Sequence, residues 1–249
     1  MPLRAAALAA ALRRLPGDHP LPWRLRCLPV CASTEPALEQ WLADGAAPPL
    51  ALLARRQRRG HGQQGRVWQS PPGGVWLSAA LPWPAQPQGS AALALAAALG
   101  LALQLEALGL APQIKWPNDL WIEGRKLAGI LPRLRWRGGR VRHAQLGVGI
   151  NGVNRVPAGA ISLAEALGRN RHPLAQPEPL AARVLRGLEW AAAAAAEPEL
   201  VRRQAERRLW RPGDGWEHAG QRWRIAGLAL DGGLRLQREG AELVIQRRF

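Results

Sequence analysis

Tyrosine is absent from this 249-residue chain, and phenylalanine and threonine occur once each, as Phe249 and Thr34. Lysine occurs twice, as Lys115 and Lys126, although Lys and Arg together number 34. A nucleotide bias that drives lysine to arginine accounts for this, and it makes the rare residues the informative ones. Two cysteines, Cys27 and Cys31, exclude a disulfide framework and a thiolate metal set. Within one strand they are too far apart to be bridged, so two buried, reduced thiols are expected. No run approaches the roughly 20 apolar residues of a membrane span. Neither GxxxxGK[ST] nor a glycine fingerprint leading into a helix is present, which excludes a P-loop and a dinucleotide fold. Internal repeats and heptads are also missing.

What is present is charge and apolar bulk. The formal net charge is +16, and 47% of residues are hydrophobic, enough for a sizeable core. A balance this basic suits nucleic acid, an anionic substrate such as a nucleotide, or an acidic protein partner. Arginine drift also raises charge with no ligand involved. The twelve tryptophans are scattered and match no RNA-binding pattern.

The opening MPLRAAALAAALRRLP reads as a short surface helix, a weak targeting segment being the other reading. Residues 23–31 alternate as a half-buried strand does. Ser33 or Thr34 can cap the helix that follows, with Pro36 in its first turn. PPLALLARR reads as a buried strand, residues 57–74 as a long basic Gly-rich loop, and VWLSAALPW as another strand. A helix is expected over about 89–108. Strands are expected in IKW, DLWIE, KLAGILPRLRW and VRHAQLGVGIN, and helices over 161–168 and 177–209, the last broken at Pro198. After Trp210 short alternating runs and the DGG turn at 231–233 predict a separate small β-barrel. Tight turns between neighbouring strands argue for an α+β fold with a mixed, largely antiparallel sheet. The expected division is a short N-terminal segment (1–22), a catalytic domain (23–210) and a C-terminal domain (211–249).

Three stretches could carry chemistry. In RRGHGQQGR, Gly60, Gly62 and Gly65 let backbone N–H groups close on an anion beside arginines; a flexible basic surface loop is the alternative. In KWPNDL, Pro117 restrains the backbone and presents Asn118 and Asp119, either as ligand groups or as an Asx-type turn. In GRKLAGIL, Lys126 begins an apolar strand, so its ammonium lies at the strand mouth. A compact ammonium serves where a planar guanidinium does not fit. Thr34, Asn118, Asn151, Asn154 and Asn170, rare here, also gather at expected strand ends or tight turns, as convergent groups of a small-molecule pocket would.

Taken in order, STE, the Gln57–Trp68 stretch, KWPNDL, GRKLAGIL and GVGIN resemble the biotin–protein ligases over about residues 25–249. The resemblance implies a catalytic domain akin to class II aminoacyl-tRNA synthetases, with an SH3-like C-terminal domain. It implies that biotin and ATP, with Mg²⁺, give biotinyl-5′-AMP and pyrophosphate. The biotinyl group then passes to a lysine of a biotin carboxyl carrier domain of acetyl-CoA carboxylase or a related carboxylase. About 22 residues precede the first strand, too few for the family's DNA-binding module, so a monofunctional, cytoplasmic ligase without membrane attachment is expected, as monomer or homodimer. By matching position, Ser33, Thr34, Glu35, Gln57, His61, Gly62, Gln63, Lys126 and Gly129 belong to the biotin site. Gly60, Gly62, Gln63, Gly65, Arg66, Trp68, Lys115, Asn118 and Asn151 belong to the ATP or adenylate site. Lys126 is the reaction-centre cation, and Asp119 orients the attacking amine; no protein-held metal is implied. The chain departs from the family pattern at Glu35 (usually Asn), at His61 and Gln63 (usually Arg), and at Pro132–Arg133, where an acidic residue is common. Loss of two loop cations predicts faster leakage of the adenylate. Other readings are a lipoate or octanoate ligase of the same fold, a nucleic-acid-binding module, and an inactive ligase.

Overall fold

The computed structural model describes residues 3–84, 90–168 and 172–247. Gly89, at the expected start of the long helix, and Asn170, one of the rare asparagines, lie outside the described residues. One sheet holds β1 (Arg24–Leu28), β2 (Leu50–Ala54), β3 (Val75–Leu81), β4 (Gln113–Lys115), β5 (Asp119–Ile122), β6 (Arg125–Arg137) and β7 (Arg140–Ile150). Their order is β1-β2-β3-β7-β6-β5-β4. The β1–β2 pair is parallel, with α2 (Thr34–Ala43) in the crossover, and the other pairs are antiparallel. The mixed, largely antiparallel sheet expected from the tight turns is therefore present.

Register divides the sheet into two unlike faces, because strand side chains alternate. Ala51, Leu53, Leu77, Ala79, Leu146, Val148, Ile130 and Ala128 fall on one face and join the main core. Two helices cover it, α3 (Ser90–Glu106) and α5 (Pro177–Ala194). α3 is apolar on all sides, the signature of a buried helix. It crosses α5 at Gly100 and Gly187, where a Cβ on Gly100 would stand 2.1 Å from the Gly187 carbonyl oxygen. Only hydrogen at both positions permits backbones this close.

The opposite face is half covered. Leu38 and Trp41 of α2 pack on Leu50 and Ala80. Further along, over β7, β6, β5 and β4, the same face borders a cavity.

The N-terminal helix α1 (Ala5–Arg14) is present, but it is more than a surface helix: Leu8 and Leu12 are buried in the main core against α5. Arg186 donates to the carbonyls of Leu12 and Leu15, while the buried Glu189 accepts from Leu21 N–H and Trp23 Nε1–H. The cysteines also differ from expectation. Cys27 lies in β1, Cys31 pairs instead with Gln57 outside any strand, and both are free and only half-buried.

The short α4 (Leu163–Ala166) and α6 (Pro198–Arg207) complete the α-helices of the described residues. Beyond α6, β8 (Trp216–His218), β9 (Gln221–Leu228), β10 (Leu234–Arg238) and β11 (Ala241–Ile245) form a four-stranded antiparallel sheet in the order β11-β10-β9-β8. This sheet is not set apart from the rest. Ile225, Leu228, Leu234 and Leu236 belong to the same hydrophobic cluster as the main core. Trp116 Nε1–H donates to the Gly232 carbonyl, and Glu206 accepts from Leu228 N–H.

Pro132 breaks nothing in β6. The Ile130 N–H donates to Asn118 on the β5 side, and alternation points the position-132 nitrogen the same way, past the end of β5. The register shifts of β6 lie at Leu120/Trp121 against β5 and at Arg135/Trp136 against β7, and neither falls at Pro132, so no bulge forms there.

Candidate active site

A cavity of about 550 Å³ lies over the open half of the sheet, within the range of small-molecule sites. Its floor is one cross-strand row. Lys115 pairs with Asp119, Asp119 with Gly129, Gly129 with Gly149, and Gly149 with Trp76. The two glycines leave a trough that an indole fills. A Cβ on Gly149 would lie 2.6 Å from Trp68 Nε1, and one on Gly129 would lie 3.2 Å from its ring. Trp68 meets Trp76 edge-on, with centroids 6.5 Å apart. Its Nε1–H is buried and has no partner among the described residues, and the same holds for the Nε2 amide of Gln63, which also lines the cavity. Buried donors of this kind await an acceptor.

One end of the cavity is cationic. Lys126 Nζ is 2.6 Å from Asp119 Oδ2 and 5.1 Å from the Trp68 centroid. Burial raises the Asp119 carboxyl, more than Lys126, Lys115 and Arg66 together lower it. Lys115 Nζ lies over the indoles of Trp121 and Trp210, at 4.0 and 4.8 Å. Burial lowers its pKa, Asp119 opposes that, and Lys126 adds to it. The electron-rich ring faces hold this ammonium while leaving it without a carboxylate of its own. Arg66 lines the same region.

The other end is neutral and internally hydrogen-bonded. Thr34 Oγ1 donates to Gln57 Oε1 (3.0 Å) and accepts from Ser78 Oγ (2.8 Å). Gln57 Nε2 donates to Ser70 Oγ at 2.8 Å. Four strand spacings separate β3, which carries Ser78, from β4, which carries Lys115, so the ends are about 19 Å apart.

Ser33, Thr34, Glu35, Gln57, His61, Gly62, Gln63, Arg66, Trp68, Lys115, Asn118, Asp119, Lys126, Gly129 and Asn151 all line this cavity. Gly60 and Gly65 do not; they shape the loop beside it. Three of the lining residues are engaged elsewhere. Ser33 Oγ caps α2 by accepting from Glu35 N–H. Asn118 Nδ2 donates to the Ile130 carbonyl and Asn151 Nδ2 to that of Ile161. They fix strand ends beside the cavity.

Sequence reasoning overlooked Ser78, Trp216 and Arg247, which also line the cavity. Ser78 carried a signal, being the lone polar residue of the fully buried β3. Trp216 and Arg247 carried none, because the C-terminal sheet reaches the cavity only through tertiary packing. Among the described residues, no group of three or more His, Cys, Asp or Glu could hold a metal ion. The acidic residues on the cavity wall are Glu35 and Asp119, and each is already ion-paired.

A profile described as Biotin/lipoate A/B protein ligase family matches residues 28–151, the span from β1 to β7 that builds the cavity floor. Residues 28–151 form a domain of this ligase family. Among curated relatives, the bifunctional ligase/repressor BirA of Bacillus subtilis is 37% identical over 130 residues, covering 51% of this chain and 40% of the relative. The biotin--[acetyl-CoA-carboxylase] ligase of Paracoccus denitrificans is 38% identical over 127 residues, covering 48% and 51%. The matched segment thus spans about half of those relatives or less. Among solved structures, the biotin protein ligase of Aquifex aeolicus in complex with biotin and ATP superimposes with a TM-score of 0.72 at 24% identity, covering 89% of this chain and 95% of that one. This likeness shows the fold over most of the chain. No helix among the described residues is long and apolar enough to cross a membrane.

Proposed function

We propose that the protein joins biotin to a lysine of a carrier domain, by way of biotinyl-5′-AMP. The observation that carries this reading is the polarity of the cavity. A neutral end rich in donors and acceptors suits a ureido ring, and a cationic end suits a carboxylate and phosphates. The relatives named as biotin ligases, and the structural neighbour holding biotin and ATP, support it. A lipoyl head is apolar and would leave the Thr34–Gln57–Ser78 set facing a group that offers it no hydrogen bond, which disfavours lipoate as the substrate.

In the first step a biotin carboxylate oxygen attacks the α-phosphorus of ATP and pyrophosphate leaves. Both reactants are anions, so the barrier contains their repulsion and the charge that develops on the phosphoryl oxygens. Lys126 stands at the junction between the two ends, where a point charge holds a carboxylate and an α-phosphate oxygen together. Arg66 and Lys115 counter the remaining phosphates. Trp68 and the loop N–H groups of Gly60–Gly65 enclose the adenylate, and water is excluded from the mixed anhydride. Mg²⁺ belongs to the nucleotide substrate, since the wall offers no free carboxylate cage and this ion is commonly held by substrate phosphates.

In the second step a neutral carrier amine attacks the acyl carbon, the carbon–nitrogen bond forms, and AMP leaves. Asp119 accepts a hydrogen bond from that amine and orients it once Lys126 has turned toward the adenylate. The partner is the biotin carrier domain of a carboxylase. On the same reading residues 23–210 are the ligase domain, akin to class II aminoacyl-tRNA synthetases, and residues 211–249 an SH3-like domain that contributes Trp216 and Arg247.

The test is transfer of labelled biotin to a purified carrier domain, with and without ATP, for the wild type and Lys126→Ala. ATP-dependent labelling of one carrier lysine, lost in the variant, is expected. Labelling that proceeds without ATP, or with lipoate in place of biotin, overturns the assignment.

A further inference from the structure

Glu35 joins three elements at the edge of the cavity. It stands in the first turn of α2, and its side chain is 13% exposed. Its two oxygens are occupied separately. Oε2 is 2.8 Å from His61 Nε2, and Oε1 is 2.9 Å from Arg133 Nη1. A carboxylate only accepts, so the shared proton sits on His61 Nε2. His61 belongs to the glycine-rich arm, residues 60–68, and Arg133 to β6.

The arm also rests on the sheet through the Trp68 indole in its glycine trough, while its bonded backbone N–H groups pair within the arm. Trp68 N–H donates to the Gly60 carbonyl, Gly62 N–H to that of Arg66, and Arg66 N–H to that of Gln63. Gln64 closes its tip in the left-handed region at φ 56°. Among the described residues, His61–Glu35 is the one side-chain hydrogen bond from this arm to the rest of the protein across the cavity. Arg133 offsets part of the Glu35 charge and sets its direction. Without it a carboxylate would face a cavity suited to anions. Arg135, the next residue on that face of β6, holds Glu39 one helical turn further along α2. The helix that carries Glu35 is therefore fastened to the sheet at two points.

The geometry points to a latch: we infer that Glu35, aimed by Arg133, holds the glycine-rich arm over the cavity through His61, and that this contact sets how long the arm stays closed. His61 and Arg133 are positioning residues here, since neither needs to touch a substrate. The inference rests on the proposed ligase reading only for its consequence, retention of the acyl adenylate. The latch itself can be read in the protein without ligand. Three of the positions where this chain departs from the pattern it resembles, Glu35, His61 and Arg133, then form a single device.

The test is limited trypsin digestion of the ligand-free, full-length protein, following cleavage after Arg59 and Arg66 by mass spectrometry. Glu35→Ala and His61→Ala are each expected to speed cleavage at those bonds about fivefold, the size of one partly exposed ion pair. The double variant is expected to be no faster than either single one. His61→Gln, which keeps an N–H donor for Glu35 and adds no trypsin site, returns the wild-type rate. His61 carries no core packing, so its variants fold. A second arm measures release of preformed biotinyl-AMP, which should rise by the same factor in Glu35→Ala and His61→Ala. Unchanged cleavage in both single variants, or additive effects in the double variant, overturns the latch. Altered cleavage in a protein that forms no adenylate would leave the latch standing and remove the ligase reading.

Discussion

Lys126 Nζ and Asp119 Oδ2 are 2.6 Å apart on adjacent strands, and both border the cavity. The resting pair keeps each charge compensated until a substrate anion arrives. Lys126→Ala removes the cation and leaves a buried carboxylate facing the phosphates. Adenylate formation is expected to fall about a thousandfold, read as biotin-dependent pyrophosphate release. Lys126→Arg keeps the charge but widens the head group, and a loss of about tenfold or more is expected. Asp119→Asn is expected to slow transfer to the carrier more than adenylate formation, read by following the two steps separately.

Trp68 lies in the trough left by Gly129 and Gly149. Gly149→Ala places a methyl group 2.6 Å from its Nε1 and pushes the indole out of the trough. Because the indole sits on a loop, the fold relaxes cheaply while the nucleotide loses a wall. Affinity for ATP is expected to weaken about tenfold, a loss on the scale of one aromatic contact. Calorimetric titration with ATP reads it, and the midpoint of thermal unfolding should move little.

The α3–α5 crossing is far less forgiving. Both helices are buried there and the Gly100–Gly187 contact is backbone to backbone, so an added methyl separates the helices. Gly187→Ala is expected to cost about 3 kcal/mol or more, as overpacking of a tight core does. Urea unfolding measures it. The cavity lies on the other face of the sheet, so ATP affinity of the folded fraction should be unchanged.

His143 is buried on β7, and neither ring nitrogen has a partner among the described residues. Burial, then the charges of Arg142 and Arg135, lower its pKa below the ordinary 6.5. A lowered folded-state value means the unfolded chain takes up the proton first as pH falls. The stability from neutral His143 is therefore whole above pH 6.5 and is lost as pH drops below it. His143→Leu is expected to flatten the fall in unfolding free energy between pH 7 and pH 5, measured by urea unfolding at each pH. A slope equal to the wild type would contradict this.

Much of the fold was legible because its signals are local. Ser33 before Pro36 announced the start of α2, and the unbroken apolar run of β2 announced a strand buried on both faces. The order of turns between Ile114 and Asn151 announced antiparallel neighbours. The packing of the C-terminal strands was hidden because it is non-local. Alternation after Trp210 is visible along the chain, but whether Leu234 and Leu236 face a small private core or the main one depends on what packs against them. Likewise, nothing near Leu8 or Leu12 distinguishes a surface helix from one docked on α5.

Of the site, the sequence by itself determined which residue types were available: two lysines in a chain of arginine, one threonine, a glycine-rich arm, and a Pro-restrained Asn-Asp pair. These follow from composition and spacing, which are properties of the chain alone. Only the tertiary structure decided what each residue faces. Strand register placed Lys115, Asp119, Gly129 and Gly149 in one row, and a shift of one residue would have turned them to the opposite face. Chain separation hid the rest, for Glu35 and Arg133 lie far apart in sequence and meet only because α2 is packed across the sheet. The C-terminal sheet brought Trp216 and Arg247 to a cavity built about a hundred residues earlier. Hydrophobic burial drives that packing and is non-directional, so no short motif in the sequence could announce it.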